Sequence, residues 1–277
     1  MKIFPFQAKY PDLDYITSSD SFFSNVKQEY PEYEKSGLFK KSSHEGVYVY
    51  EIRTSHRTFT GLVACVDVEE YLQGNIKKHE NTLASKEQRQ MQLLLHRKAM
   101  VKPVMLFHQP IEALAQLINK FKSENDPLFS THFDQDNQLH SFWEVADGAK
   151  LQQITQLFET QIPKVYIADG HHRTSTTALL YERRRGRGDA HKYQMLQAAF
   201  FSSEELEIHD YNRVIEALDD VSLTAFMARI SQLFDIEILD NPTKPSRPHQ
   251  ISMFINREWY LLNWKPHVLD NWHHPVV

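Results

Sequence analysis

The sequence predicts a mixed α/β fold of the α+β kind, and three observations carry that expectation. Pairs of strand-like runs joined by short polar turns recur along the 277 residues. Segments with helical spacing stand between those pairs, and no uniform strand–helix–strand series runs through the chain. The third observation is the stretch that organises the rest. Lys164 to Ala168, rich in β-branched and aromatic residues, runs into Asp169-Gly170-His171-His172-Arg173, and Thr174 to Leu180 then has helical spacing. Strand, tight turn and helix follow in that order.

Taken in order, the chain opens with a short strand near Ile3 to Phe6 and a helix around Ser19 to Glu29. Val47 to Arg53 and Thr58 to Val66, with Thr54-Ser55-His56-Arg57 between them, form a hairpin. Ser85 with Gln88 has the spacing of a capping box, and Met91, Leu94, Leu95 and Lys98 continue a helix to Met100. Pro103 to His108 reads as a buried strand. Pro110 stands at the next helix start, and Ile111, Leu114, Leu117, Ile118 and Phe121 give that helix its apolar face. Leu128 to Phe133 and Gln138 to Val145 make a second hairpin. Asp147 caps a helix carrying Leu151, Ile154, Leu157 and Phe158, ended by Pro163.

Beyond the central turn, Glu182-Arg183-Arg184-Arg185-Gly186 is the cation-then-glycine ending of a helix. Gln194 to Phe201 is strand-like, continued by Leu206 to His209. Asp210-Tyr211-Asn212-Arg213 introduces a helix through Leu218, and a helix at Leu223 to Leu233 leads to a strand at Phe234 to Leu239. Three prolines mark 241–248 as a linker before a hairpin of Gln250 to Ile255 and Trp259 to Trp264, and adjacent histidines stand in the tail at His273-His274. The domains expected are an N-terminal segment (1–46), a core (47–240), and a C-terminal hairpin and tail (241–277) packed on that core.

Composition excludes several classes. With 41% hydrophobic residues, 17 Phe and 12 Tyr, the chain can bury a substantial core, and 8 Gly and 12 Pro rule out a low-complexity polymer. A formal charge of −5 argues against holding nucleic acid by the overall field. Cys65, the single cysteine, lies in an apolar run and reads as a packing residue. No run approaches the ~18 apolar residues of a membrane span and no leader pattern opens the chain, so the expectation is a cytoplasmic protein without membrane partners.

Two motifs carry chemistry. At Asp169 to Arg173 the first amides of a helix lack intrahelical partners and carry the positive end of its dipole, Gly170 allows close backbone approach, and Arg173 adds a bidentate donor, so a phosphate fits. The plain alternative makes Asp169 an N-cap, Gly170 a turn residue and His171, His172 and Arg173 a solvated first turn. In Ile76-Lys77-Lys78-His79-Glu80-Asn81-Thr82, continued to Arg89, the cations Lys77, Lys78 and Arg89 can neutralise phosphates. His79 or Glu80 can then serve as acid, base or metal ligand. A solvated loop before a helix explains the same run.

Together, Thr60 to Val66, Lys77 to Thr82 with Lys86, Glu87 and Arg89, Tyr166 to Arg173, and Asp210 to Val214 resemble a widespread bacterial family, the domain of unknown function 1015 family. The turn is also similar to the phosphate-binding turn of the ParB and sulfiredoxin superfamily, which includes sulfiredoxins, CTP-binding partition proteins and free-serine kinases. That likeness implies a ParB/sulfiredoxin-like nucleotide-binding core with additional β-hairpins and helices. It further implies that Gly170 and the following amides, to Thr174, hold a phosphate and that Arg173 clamps its oxygens. His171 or His172 would bond the group in transfer, and Glu80 or Asp169 would be the acidic residue whose carboxylate deprotonates a substrate hydroxyl.

Three functions are consistent with these residues. The first is a phosphotransferase that takes phosphate from ATP, ADP or CTP with Mg²⁺ and delivers it to the hydroxyl of a small metabolite, free serine being favoured. The second is a regulator that binds CTP or ATP without turnover. The third is a metal-dependent hydrolase using His79, Glu80, His171 and His172.

Overall fold

The computed structural model describes residues 1–210, 212–215 and 221–270, with the backbone alone for Lys27. Two compact units divide between Glu207 and Ile208.

The first unit carries β1 (Ile3–Phe4), β2 (Lys9–Pro11), α1 (Ser19–Lys35), β3 (Phe39–Lys41), β4 (Val47–Arg53), β5 (Thr58–Asp67), α2 (Glu69–Leu72) and β6 (Ile76–Lys77). It continues through α3 (Ala84–Arg97), β7 (Val104–His108), α4 (Glu112–Glu124), β8 (Phe129–Phe133), β9 (Gln138–Val145), α5 (Gly148–Gln161), β10 (Val165–Asp169), α6 (His171–Arg184) and β11 (Met195–Ser202). Among the described residues these strands build one mixed sheet in the order β6-β10-β7-β11-β5-β4-β9-β8, with β1 paired to β5, and a separate β2–β3 ribbon. The hairpins β4–β5 and β8–β9 are antiparallel neighbours, whereas β6–β10 and β7–β11 are parallel and need helical crossovers. The fold is mixed α/β, as the alternation of hairpins and helices predicts.

The central strands are apolar on both faces because both faces are covered. Leu62, Ala64 and Val66 of β5 join Leu196, Ala198 and Phe200 of β11 under α4 and α5, where Phe158 and Ile154 are fully buried. Val63, Ala199 and Phe201 form the opposite face with Tyr48. Burying a side chain such as Phe158 contributes about 2–3 kcal/mol. Gly61 permits the closest crossing, since a Cβ there would stand 2.5 Å from the carbonyl oxygen of Phe200.

Several expected boundaries shift. Helix α1 runs past Glu29, through Pro31, to Lys35, because Phe22, Val26 and Tyr30 bury a continuous stripe. The capping box at Ser85 and Gln88 does not form: α3 starts at Ala84 after an uncapped Leu83, and Thr82 Oγ1 donates instead to Glu87 Oε1 at 2.6 Å. The same helix stops at Arg97, where Lys98 turns left-handed at φ 54°, before the expected Met100. Leu206 to His209 do not prolong β11. A 3-10 turn at Ser203–Glu205 ends it, and the Thr60 amide donates to Glu205 Oε2 at 2.9 Å. Residues 212–215 are irregular, so the expected Asp210 helix is absent there; its remainder, at 211 and 216–220, lies outside the described residues, as does the His273-His274 tail.

The second unit contains α7 (Leu223–Ile230), β12 (Phe234–Leu239), β13 (Gln250–Ile255), β14 (Glu258–Trp264) and α8 (Pro266–Asp270). Its antiparallel sheet has the order β12-β14-β13 and packs Phe234, Tyr260 and Leu262 against Met227 and Ile230 of α7. The proline-bearing stretch 241–248 is thus a connection inside this unit, between β12 and β13.

Candidate functional site at the start of helix α6

The turn has the anticipated form of strand, glycine, helix. Gly170 occupies the N-cap of α6 at φ 105°, a left-handed conformation suited to glycine, and no side chain caps the helix. Asp169 is therefore not the cap. A Cβ at Gly170 would meet Val104 Cγ1 at 2.9 Å and the Arg173 guanidinium at 3.0 Å, so the turn is closely packed from two sides. The amides of His171, His172 and Arg173 belong to the uncapped first turn, and the Thr174 amide already bonds back to Gly170.

The 77–82 loop closes over this turn through a histidine and a glutamate. His171 is buried, its Nε2 receives a long hydrogen bond (3.4 Å) from the His79 amide, and its Nδ1 faces Glu80 Oε1 at 3.2 Å. An amide donor on Nε2 makes that nitrogen the acceptor, which puts the ring proton on Nδ1 and aims it at the carboxylate. Burial lowers the pKa of His171 and the nearby His79 adds to that effect, while Glu80 and Asp169 oppose it. The ring is thereby kept neutral near pH 7. His79 packs edge-on against it, with centroids 4.3 Å apart, and Glu80 remains 56% exposed, so its second oxygen is available to a substrate.

Arg173 has a different environment from the one the sequence implied. Its fork donates to Asp169 Oδ2 at 2.6 Å, to the Lys102 carbonyl at 2.9 Å and to the Pro103 carbonyl. Burial lowers its pKa, with Asp169 acting against the shift. The guanidinium ties the approach to β7 onto the turn. Lys102, which sequence reasoning missed, brings its Nζ to 3.5 Å from Asp169 Oδ2 and is 71% exposed, so it places a cation beside the turn.

The structure brings together His79, Glu80, Asp169, Gly170, His171 and Arg173. His172 turns toward Glu87 of α3, and its Nδ1 is buried without a hydrogen-bond partner. Glu87 has a lowered pKa, chiefly through the Thr82 hydrogen bond, then through Ser175, His172 and Arg183. Thr174 is fully buried and its hydroxyl is spent on the Gly170 carbonyl. Lys77 reaches back over Gly74, where an added Cβ would lie 3.9 Å from its Nζ. Lys78 is exposed just beyond β6, and Arg89 is exposed on α3, on the side of that helix away from Glu87 and Met91, which contact α6. Neither Lys77 nor Arg89 is gathered at the turn. The signal for Lys102 was only its place before a proline and a strand.

Among the described residues no three His, Cys, Asp or Glu side chains gather in a metal-holding group, and no helix is long and apolar enough to cross a membrane. Searches of curated proteins and of solved structures gave no match. The family described as "Protein of unknown function (DUF1015)" matches residues 8–276, nearly the whole chain and both units. This chain, with its buried His171, exposed Glu80 and open helix start, belongs to the DUF1015 family.

Proposed function

We propose that the protein is a nucleotide-dependent phosphotransferase, moving a phosphate from ATP, ADP or CTP to the hydroxyl of a small metabolite, with free serine as the favoured acceptor. The observation that carries this reading is the Glu80 carboxylate, held by the Nδ1–H of a neutral His171 beside the uncapped amides of α6. Phosphoryl transfer asks for positioning and positive charge, and for a carboxylate near the attacking hydroxyl. In this assignment the amides of His171 to Arg173 receive phosphate oxygens, with Lys102 as a nearby cation. Glu80 takes the hydroxyl proton as the new O–P bond forms and the bond to the nucleotide breaks. His171 and Arg173 are positioning residues, one orienting Glu80 and the other fixing Lys102 and Pro103. Mg²⁺ would be held mainly by the phosphates and would neutralise their charge during transfer.

The likeness of Asp169 to Arg173 to the phosphate-binding turns of the ParB and sulfiredoxin superfamily supports the same assignment. The hydrolase alternative draws no support from the geometry, because among the described residues no three His, Cys, Asp or Glu side chains gather in a metal-holding group.

The test is transfer from ATP, ADP and CTP, with Mg²⁺, to a panel of hydroxyl metabolites led by serine, followed by ³¹P NMR. A phosphomonoester should form with the wild type, and Glu80→Gln should lower the rate about 10²-fold or more while nucleotide affinity is kept. Saturable nucleotide binding with no acceptor consumed would replace this reading with that of a nucleotide-binding regulator. Absence of any nucleotide binding would refute the phosphate site itself.

A further inference from the structure

A cavity of about 600 Å³ lies inside the first unit, within the size range of small-molecule sites. Its floor is one face of the large sheet, where Cys65 of β5 and Gln197 of β11 are direct cross-strand neighbours. Its walls are α1, through Phe22 and Tyr30, and the end of α3 with the stretch that follows, through Arg97 and Met100. Aromatic rings from α1 and the sulfur-bearing Cys65, Met100 and Met195 form part of the lining.

Two polar groups in that lining are unsatisfied. Arg97 Nε is buried without a hydrogen-bond partner, and so is Gln197 Oε1. Burial alone lowers the pKa of Arg97, and no carboxylate acts against it. The only acid lining the cavity among the described residues is Glu34, which is already bonded to Lys9 and to the Tyr30 hydroxyl. A desolvated guanidinium without a counter-charge is costly to maintain, and an anion brought by a ligand removes that cost. Lys9, already paired with Glu34, and Lys98 also line the pocket, but Arg97 is the half-buried cation left without a partner, and its planar fork matches a carboxylate.

We propose that this cavity binds an organic carboxylate with a flat apolar body, its carboxylate against the Arg97 guanidinium and its body among the rings of α1. The site is separate from the start of α6, and it stands whether or not the chain transfers phosphate.

The experiment uses the full chain and two probes, 2-naphthoate and the neutral 2-naphthalenemethanol. Affinities are measured by calorimetry, and occupancy is read from maleimide labelling of Cys65, the single cysteine, which lines the floor. Saturating 2-naphthoate should slow Cys65 labelling about tenfold. Arg97→Met should weaken 2-naphthoate about tenfold or more, as for loss of a charge-assisted bond, and leave 2-naphthalenemethanol within about twofold. It should unfold no earlier than the wild type, since it removes a half-buried, unpaired charge. Met100→Trp, which fills the cavity and retains Arg97, should abolish binding of both probes. Failure of 2-naphthoate to bind at millimolar concentration, unchanged affinity in Arg97→Met, or unprotected Cys65 would each overturn the proposal.

Discussion

Replacing Arg173 by Met separates a structural guanidinium from a phosphate clamp. In the structure the side chain is 19% exposed and its fork joins Asp169 to the carbonyls of Lys102 and Pro103. Hydrogen bonds from a charged group contribute about 1.5–3 kcal/mol where they are partly buried, which applies to the Pro103 contact. The contacts to Asp169 and Lys102 lie at exposed positions and contribute under ~1 kcal/mol each after solvent screening. The expected loss is therefore about 3 kcal/mol, with no nucleotide present. Urea unfolding followed by far-UV circular dichroism gives that number, and a thermal scan should show a fall of roughly 6–12 °C for a unit of this size. Lys offers no planar fork, so Arg173→Lys should lose most of the same stability. A loss below about 1 kcal/mol, or an Arg173→Lys protein as stable as the wild type, would refute the anchoring role and return the guanidinium to a ligand.

Two further outcomes follow from the same geometry. Gly170→Ala places a Cβ at φ 105° and 2.9 Å from Val104 Cγ1, so it should cost about 2 kcal/mol or more, seen as a lowered thermal midpoint. Acid should destabilise the first unit below pH 6.5. The pKa values of His171 and His108 are lowered by burial and that of His140 falls from 6.5 to about 4, so the unfolded chain binds protons that the native state refuses. Stability is complete above the unfolded value of 6.5 and declines as pH falls toward 4. His140 alone contributes at most ~3 kcal/mol to this decline, and about 2 kcal/mol once solvent screening at its partly exposed ring is allowed for. Urea midpoints measured from pH 7.5 to 4 should show it; a flat profile would contradict these assignments.

The elements that depend on local pattern were legible in the sequence. The hairpins β4–β5, β8–β9 and β13–β14 and the passage from β10 through Gly170 into α6 follow from β-branched runs, turn residues and helical spacing. What was not legible depends on partners distant in the chain. Nothing near Arg173 in sequence reveals that the carbonyls 70 and 71 residues earlier fill its fork. Lys77 and Arg89 have the charge a phosphate needs, but Lys77 reaches back over Gly74 and Arg89 lies on the far side of α3. Ser85 and Gln88 have capping-box spacing, yet the bond from Thr82 to Glu87 takes its place. Arg97 and Gln197 stand 100 residues apart in the chain and only the tertiary fold sets them on one cavity.

The most direct test of the central claim, a phosphate site at the start of α6, is a titration of histidine-selective ¹⁵N-labelled protein with ADP and with inorganic pyrophosphate, following backbone amides. The amides of His171 and His172 should shift saturably with both, and the His79 amide, bonded to the His171 ring, should shift with them. Unmoved amides at these three positions, at nucleotide concentrations of several millimolar, would show that the open turn of α6 holds no phosphate and that the phosphotransferase reading is wrong.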